Sequence, residues 1–371
     1  MANDFNEKTA EIGNFIKCKD CGANLKYLPG TPYLNCEYCG AKNDIEATKP
    51  TEIVENDYQS FLDEKSHKED KQEISTVKCQ NCAASTTLKP NVTACNCPYC
   101  DTPLVINTAS TSTIIKPSYL LPFKIDRKTA TQKFVGWTDG LWFAPSKLKE
   151  YASQSADKLN GIYMPYWTYD TNTNTSYTGA RGTYYYVSET YKDSEGRTQT
   201  RQVQRTRWDA AFGKVNNDFD DVLVVSSKSL PENLANDLEP WDLKELDAFN
   251  EKFLSGFITE SYQVDLKTGF EKAKVRMQSE ITATVRADIG GDVQQIATQN
   301  TDYNNIKFKH VLLPVWLSSY KYNDKVYRFL INARTGEVQG ERPYSAAKIA
   351  ALVITILGVV VAILYFANKQ Q

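Results

Sequence analysis

The chain has 371 residues, of which 24% are charged and 41% hydrophobic, a composition typical of proteins with a packed core. Lys and Arg number 43 and Asp and Glu number 45, so the chain lacks the overall basic field of many nucleic-acid-binding proteins. Only two histidines occur, His67 and His310, which excludes a metal site built from several histidines.

The cysteines form a repeat near the N-terminus. Each half of the repeat contains two CxxC pairs separated by fourteen residues, and the second half follows at an offset of 61. The repeated cysteines are Cys18, Cys21, Cys36, Cys39, Cys79, Cys82, Cys97 and Cys100. This spacing is typical of zinc ribbons, in which four thiolates bind one structural ion. The sequence therefore predicts two ribbons, over residues 14–42 and 75–105, with one Zn²⁺ each.

Other chemistries can use the same cysteines. An iron site of the rubredoxin type is one alternative, and disulfide bonds are another. Disulfide bonds need an oxidising compartment, and the first residues of the chain lack the apolar core of a secretory signal. Four thiolates leave no open position for substrate water, so the predicted role of the zinc is structural.

The two halves of the repeat differ in detail. Ala83 and Asp101 stand where the first half has Gly22 and Gly40. Glycine tolerates a positive φ that other residues adopt at a cost, so we expect weaker metal binding in the second ribbon. The ninth cysteine, Cys95, aligns with a leucine and is either a buried apolar residue, a substitute ligand or a reactive thiol.

Residues 43–77 form a strongly acidic connection with a net charge of −6. Its apolar residues recur at helical spacing after Thr51, which is placed to cap a helix. These residues are Ile53, Val54, Tyr58, Phe61 and Leu62. The pattern predicts a short amphipathic helix, packed on the ribbons or used for docking, followed by a solvated tether.

A Ser/Thr-rich linker over 107–113 precedes a body predicted over residues 114–343. Asp126 is placed to cap one helix, and a longer helix is predicted from Asp265 to Arg286. Asp242 and Glu245 form a capping box that predicts a further helix. Together with several strand-like segments, these features predict a mixed α+β body rich in antiparallel strands.

Two strand-like segments flank the turn 193–196 and predict a long hairpin. On the second segment, Arg201, Arg205 and Arg207 are separated by even numbers of residues, so their side chains lie on the same face of the strand. This basic row is either a solvated face paired with acids or a contact for lipid headgroups or an acidic partner.

Residues 349–367 are nineteen residues without charge and predict a transmembrane helix. At 1.5 Å per residue the segment spans about 28 Å, close to the thickness of a hydrocarbon core. A buried helix of a soluble protein is the alternative. Arg334, Arg342 and Lys348 precede the segment and Lys369 follows it, which predicts a tail anchor with the N-terminal bulk in the cytoplasm. Thiolate zinc ligands suit that reducing compartment.

The sequence contains none of the common catalytic motifs. A P-loop, a GxGxxG fingerprint, a GxSxG elbow and an HExxH helix are all missing. Polar residues considered for a site are Tyr320, Tyr322, Tyr327, Asp170 and Asp292. No fixed spacing joins an acidic residue to a basic one among these residues. We therefore expect neither an enzyme nor a small-molecule substrate.

Several longer motifs carry a family resemblance over nearly the whole chain. They are Leu121-Pro-Phe-Lys, Leu141-Trp-Phe-Ala-Pro, Met164-Pro-Tyr-Trp-Thr-Tyr-Asp, Asp220-Asp-Val-Leu-Val, Leu254-Ser-Gly-Phe, and the stretch from Lys309-His-Val-Leu-Leu-Pro-Val-Trp to Asn332-Ala-Arg-Thr-Gly. With these marks the chain resembles a group of bacterial double zinc-ribbon, single-span membrane proteins. Members are often described as TFIIB-type zinc-ribbon or primosomal helicase-like proteins, although this chain lacks the ATP site of a helicase.

The resemblance implies partners as well as a fold. The group is similar in setting to proteins that work beside SPFH-domain and PspA-type phage-shock proteins at the inner membrane, which implies a membrane platform for envelope-stress proteins. Only the zinc ligands transfer from the family to residues of this chain. We therefore expect a membrane-anchored adaptor whose ribbons recruit protein partners. The alternative is a membrane-tethered nucleic-acid-binding protein.

Overall fold

The computed structural model describes residues 16–46, 53–63, 71–80, 84–88, 94–99, 102–105, 110–145, 148, 159–322 and 325–369. The helices in these ranges are α1 (Tyr58–Asp63), α2 (Arg127–Asp139), α3 (Glu232–Asn236), α4 (Leu266–Ile289) and α5 (Ala346–Lys369). The N-terminal strands are β1 (Ile16–Lys17), β2 (Asn24–Tyr27), β3 (Tyr33–Cys36), β4 (Lys42–Asp44), β5 (Asn56–Asp57), β6 (Lys71–Lys78), β7 (Ser85–Leu88), β8 (Ala94–Asn96), β9 (Pro103–Val105) and β10 (Ser110–Ile115). The strands of the body are β11 (Tyr119–Leu120), β12 (Asn160–Lys192), β13 (Thr198–Val225), β14 (Asp247–Ala248), β15 (Ile258–Thr259), β16 (Val293–Tyr322), β17 (Lys325–Asn332) and β18 (Val338–Gly340).

Each half of the cysteine repeat builds its own small antiparallel sheets. Strands β1 to β4 form one sheet in chain order, which we call the first cysteine module (residues 16–46). In the second cysteine module (described residues between 71 and 105), β7 and β9 fall 61 residues after β2 and β4. The sequence repeat is thus a structural repeat.

The connection between the modules differs from the prediction. Residues 71–77 belong to strand β6, which pairs with β7 and β10, so the predicted tether and the predicted 107–113 linker are wrong where they are described. Pairing satisfies backbone groups that a tether would leave to water.

The acidic helix is also shorter than predicted. Helix α1 begins at Tyr58, because the Asp57 carboxylate accepts from the Ser60 N–H at 2.7 Å and caps it there. Its rings pack on the body, Tyr58 against Phe270 at 5.1 Å, rather than on the cysteine modules. Thr51 lies outside the described residues.

A large twisted sheet forms the centre of the body. Its main strand order is β13-β12-β16-β11-β14. Two segments that share the pattern Pro-x-Trp, at Pro165 and Pro314, are neighbours in this sheet, since Tyr163 pairs with Pro314 and Pro165 with Leu312. Side chains of this region fill the core from both faces.

Strands β12, β13 and β16 continue out of the body as an arm. Strand β12 alone has 33 residues, an extended length of about 110 Å. Helix α4 lies along one face of the arm, and its Gly269 brings the helix so close that a Cβ there would lie 2.4 Å from the Tyr169 hydroxyl. Beyond Gly182 and Val293 only β12 and β13 continue, and we call this two-stranded end (183–192 and 198–207) the arm tip.

The helix predictions for the body have mixed outcomes. Helices α2 and α4 are confirmed, with Asp126 and Asp265 as their N-caps. The helix predicted after Asp242 is wrong, because 3-10 turns (Leu243–Glu245 and Glu251–Leu254) and strand β14 occupy that stretch. The Asp242 carboxylate binds Arg334 at 2.6 Å instead of capping a helix.

Candidate metal centre and buried ion cluster

The first cysteine module brings its four cysteines together. The Sγ atoms of Cys18 and Cys39 lie 3.6 Å apart, as do those of Cys21 and Cys36, and all four sulfur atoms lie within 4.8 Å of one another. A tetrahedral zinc ion with Zn–S bonds of about 2.3 Å would separate its sulfurs by about 3.8 Å. The cluster can therefore hold a metal ion, and its geometry fits a tetrahedral one.

The two CxxC turns of this module are shaped for thiolate binding. Gly22 and Gly40 have φ of 72° and 74°, and their N–H groups donate to the Cys18 and Cys36 carbonyls at 2.9 Å. The backbone N–H of Cys39, helped by that of the preceding residue, lowers the pKa of Cys36 to about 7. The pKa of Cys39 moves the other way, because the N–H of Ala41, which lowers it, is outweighed by contacts with the neighbouring thiols that raise it to about 12. A lowered pKa favours the thiolate, which is the form that binds metals.

The first cysteine module is fused to the body. The Tyr27 N–H donates to the Ser255 carbonyl at 2.9 Å, and the Ser255 hydroxyl donates to the Leu25 carbonyl at 2.8 Å. The Tyr27 hydroxyl reaches the Phe123 carbonyl at 3.1 Å, and its ring packs edge-on against Phe253 at 5.1 Å. One face of the module is therefore part of the body's core.

The second cysteine module repeats the backbone pattern of the first. The Cys79 N–H donates to the Ala84 carbonyl at 2.8 Å, as Cys18 does to Ala23 at 2.7 Å. Cys79 and Cys97 are both 2% exposed. Cys82, Cys100, Ala83 and Asp101 lie outside the described residues, as does the side chain of Cys95, so a second metal site and its predicted weaker affinity remain predictions.

The second module docks on the body through a buried carboxyl group. Tyr99 is 1% exposed, and its hydroxyl donates to Glu260 at 2.6 Å. Glu260, itself 2% exposed, also accepts from Ser227 at 2.8 Å, from Gln263 at 2.9 Å and from Ser229. Burial raises the pKa of Glu260 to about 7, although these donors oppose the shift.

The Glu260 carboxyl should make stability fall as the pH rises from about 5 to 8. Its folded pKa lies above its unfolded value, so the folded protein keeps a proton that the unfolded chain releases above about 4.3. The stabilisation is complete below the unfolded pKa and is lost as the pH approaches the folded pKa of about 7. Between pH 5 and pH 8 the loss is roughly 3 kcal/mol at most.

Urea unfolding at pH 5 and pH 8 tests this slope. Glu260→Gln keeps the shape but cannot ionise, so its stability should depend less on pH than that of the wild type over this interval. Glu251→Gln, at a neighbouring carboxyl outside the cluster, is the matched control. An unchanged slope in Glu260→Gln would show that another group carries the dependence.

A buried lysine joins four strands of the arm's base. The Lys309 side chain is 2% exposed, and its ammonium lies 2.8 Å from Glu55 and from Asp221, and 3.5 Å from Asp170. Burial opposes its charge, but the ion pairs outweigh burial and raise the pKa of Lys309. A lysine that stays protonated is neither a nucleophile nor a base. The ammonium thus holds β12, β13 and β16 together and fastens to them the residue that directly precedes β5.

Two of the carboxyl groups around Lys309, Glu55 and Asp170, have pKa values shifted in opposite directions. Burial, followed by the hydrogen bond with Glu55, raises the pKa of Asp170 to about 7. Burial also opposes ionisation of Glu55, but its bonds to Asp170 and Lys309 outweigh this and lower its pKa to about 2. Oxygen atoms of Glu55, Asp170 and Asp220 lie within 4.8 Å of one another, and the ammonium supplies a positive charge beside them.

Two strand bulges turn the carboxylate side chains toward the Lys309 ammonium. Asp221 in β13 and Asn305 in β16 have φ of 53° and 50°, and both interrupt the register on either side of Asp170. Strand bulges often re-aim side chains at functional or strained sites. The cluster draws on sequence motifs around Asp170, Asp220 and Lys309, but sequence reasoning missed the grouping, because only the strand register brings these residues together.

The other polar residues considered in the sequence do not join this cluster. Asp292 accepts from the Tyr184 N–H at 2.7 Å, at the end of β16 far along the arm. Tyr322 and Tyr327 pack against the core of the body. The side chain of Tyr320 lies outside the described residues.

The arginine row lies on one face of the arm tip. Arg201 and Arg205 both reach Glu189, at 3.4 and 2.6 Å, and Arg207 reaches Asp209 at 3.3 Å. The interpretation as an exposed face paired with acids is therefore confirmed. Tyrosines stand among these charges, of which Tyr186 is 65% exposed.

Helix α5 is long and apolar enough to cross a membrane. The most apolar 18-residue window within Ala346–Asn368 has a mean hydropathy of 2.9, and none of that window is buried against the rest of the protein. Its first turn is held by the body, since the Ser345 N–H donates to the Phe143 carbonyl at 2.7 Å.

Comparison with known proteins gives one distant relative. The chain is 27% identical to the "Uncharacterized protein YdjG" of Bacillus subtilis (strain 168) over 346 residues, which cover 92% of this chain and 94% of that protein. No protein-family model matches the chain. No solved structure shows significant similarity to it.

Proposed function

We propose that the protein is a non-enzymatic, membrane-anchored adaptor that recruits protein partners to the cytoplasmic face of the membrane. The observation that carries the anchor is the unburied apolar helix α5. Burial of one Leu, Ile or Val side chain contributes about 1.5–3 kcal/mol, so a helix of such residues is far more stable in a bilayer than in water.

The cytoplasmic orientation is supported by charge and by cysteine chemistry. Arg342 and Lys348 lie just before the apolar segment, and Lys369 lies after it. Arg334 is only 10% exposed and paired with Asp242, so we do not count it among the flanking charges. Zinc held by thiolates in both cysteine modules suits a reducing compartment.

The repeat itself supports a recruiting surface on the first cysteine module. Tyr38 and Tyr99 are equivalent positions in the two halves, yet Tyr38 is 85% exposed whereas Tyr99 is 1% exposed and bound to Glu260. The second module uses this face to dock on the body. The same face of the first module is open, and we propose that a partner protein offers it a comparable acceptor.

The resemblance supplies the class of partner, an SPFH-domain or PspA-type protein of the envelope-stress response. An anchor raises the effective concentration of such a partner at the membrane without further contacts. Nucleic-acid binding is the alternative, and the arginine row is the observation in its favour. The ion pairs of that row with Glu189 and Asp209 reduce its net charge and weigh against it.

The anchor is tested by charged substitutions that preserve chain length. Leu357→Lys combined with Val360→Lys places two ammonium groups near the middle of α5, each costing about 2.5–3.5 kcal/mol on insertion. We expect the variant to leave the membrane fraction in flotation, while Leu357→Ala with Val360→Ala remains there. A double-lysine variant that still floats after a salt wash would contradict the anchor.

Recruitment is tested by affinity capture from membranes with full-length protein. Tyr38→Ala should lose the partner while retaining bound zinc, and Tyr186→Ala on the arm tip is the matched exposed-tyrosine control. Loss of the partner in Tyr186→Ala alone would move the docking surface to the arm. Recovery of nucleic acid with a steep salt dependence, and no protein partner, would favour the alternative function.

A further inference from the structure

An exposed tryptophan stands beside the start of the apolar helix. Trp142 is 83% exposed, in the loop 140–145 that follows α2. Its neighbours Leu141 and Ala144 are buried in the core of the body, 9% and 4% exposed. The loop is thus anchored on both sides of Trp142, which points outward from a fixed position.

The same loop binds the first turn of α5. The Phe143 carbonyl accepts from the Ser345 N–H at 2.7 Å, and the Ala144 carbonyl accepts from the Lys348 ammonium at 2.7 Å. The uncharged segment begins at the next residue, Ile349. Trp142 therefore lies at the level where α5 would pass from water into lipid.

We propose that the loop 140–145 is a second membrane contact, in which Trp142 enters the headgroup layer and fixes the orientation of the body on the bilayer. The inference rests on the proposed membrane span of α5. Each interfacial layer is about 5–8 Å thick, which accommodates an indole ring held beside the helix start. Tryptophan is enriched at this depth because its ring is apolar and its N–H is polar.

The surrounding charge fits a lipid surface. Arg342 and Lys348 lie in the stretch of chain that leads into α5, and the Arg342 guanidinium lies 5.4 Å from the ring of Tyr344, which is 61% exposed. Basic residues beside a span bind the anionic headgroups of the cytoplasmic leaflet. The exposed rings of Trp142 and Tyr344, together with the two cations before the span, are typical of a membrane interface.

Quenching of tryptophan fluorescence by brominated lipid tests this contact. Full-length protein is reconstituted into vesicles of phosphatidylcholine and phosphatidylglycerol that carry bromine near the headgroup end of the acyl chains. Wild type, Trp142→Phe and Trp208→Phe are compared, the last being a control on the arm, at the base of the arm tip. We expect a roughly twofold or larger fall in the quenched fraction in Trp142→Phe alone.

The outcomes separate this inference from the anchor itself. Protein that floats with the vesicles but is quenched equally with and without Trp142 would overturn the loop contact and leave the anchor intact. Quenching lost in Trp208→Phe instead would place the arm, rather than the loop 140–145, on the bilayer and would also overturn the loop contact. Protein that fails to float would overturn the anchor together with the loop contact.

Discussion

Replacing Cys36 with Ser is expected to remove the metal from the first cysteine module and to loosen the body beside it. Structural zinc sites contribute about 10–16 kcal/mol of binding free energy, most of which depends on all four thiolates. Tyr27 and Leu25 pack in the same core as Phe253, so an unfolded module would expose that core as well. We expect about one zinc per chain in place of about two, with a lower unfolding temperature.

Elemental analysis with thermal unfolding measures both effects. Cys95→Ser is the matched control, because Cys95 falls outside the repeated ligand positions and should leave the metal content unchanged. A chelator titration of the wild type should release zinc in two steps, the first from the second module. Equal metal content in Cys36→Ser and wild type would contradict the assignment of the ligands.

Local patterns account for what the sequence predicted well. The spacing of the CxxC pairs specifies each module, since ligands and turns all lie within about thirty residues. Asp126 and Asp265 cap their helices through bonds to residues three positions later. Asp242 carries the same signal, but Arg334, 92 residues away, competes for its carboxylate. A distant partner of this kind leaves no trace in the local pattern.

The sequence did not predict the length of the arm, again because the contacts that stabilise it come from distant parts of the chain. Strand β12 runs through Asn172, Asn174 and similar polar residues that usually mark loops. Strands on both sides satisfy the backbone hydrogen-bonding groups of β12 there, and α4 covers one face of the arm. The strand therefore forms without a regular alternation of apolar residues in its sequence. The docking of the modules was equally hidden, because Tyr99 and Glu260 are 161 residues apart.

The Lys309 cluster shows the same limit at a candidate site. Its members stand in separate motifs, and nothing in their spacing unites Glu55 with a lysine 254 residues later. Only the register of β16 with β5 and β12 places them together. Once the cluster is seen, a buried cation among three acids predicts a large loss of stability when the cation is removed.

Replacing Lys309 with Met should destabilise the protein by about 3–5 kcal/mol, the cost of breaking a buried ion pair by removing one partner. Methionine fills a similar volume but leaves Glu55, Asp170 and Asp221 facing one another without the ammonium. Such a large effect is not expected of an ordinary surface lysine, whose ion pair contributes about 0–1 kcal/mol.

The deficit of the Lys309→Met variant should grow between pH 5 and pH 8. The folded pKa of Asp170 is already raised to about 7, so its stabilising contribution is complete below the unfolded pKa and is lost as the pH rises toward 7. Glu55 has a folded pKa lowered to about 2, so in the wild type it contributes stability above its unfolded pKa. Without the ammonium both pKa values rise. Glu55 then no longer stabilises the folded protein, and ionisation of Asp170 lowers the free energy of unfolding further as the pH rises.

Urea unfolding in detergent micelles at both pH values, followed by tryptophan fluorescence, measures this difference. Lys307→Met is the matched control, since Lys307 lies on the same strand, is 53% exposed and pairs with Glu55 at 3.3 Å. Because solvent screens that pair, its removal should cost less than about 1 kcal/mol at either pH. A Lys309→Met variant as stable as Lys307→Met at pH 8 would mean that the carboxylates are solvated, and that β5 is not held to the arm by their charge.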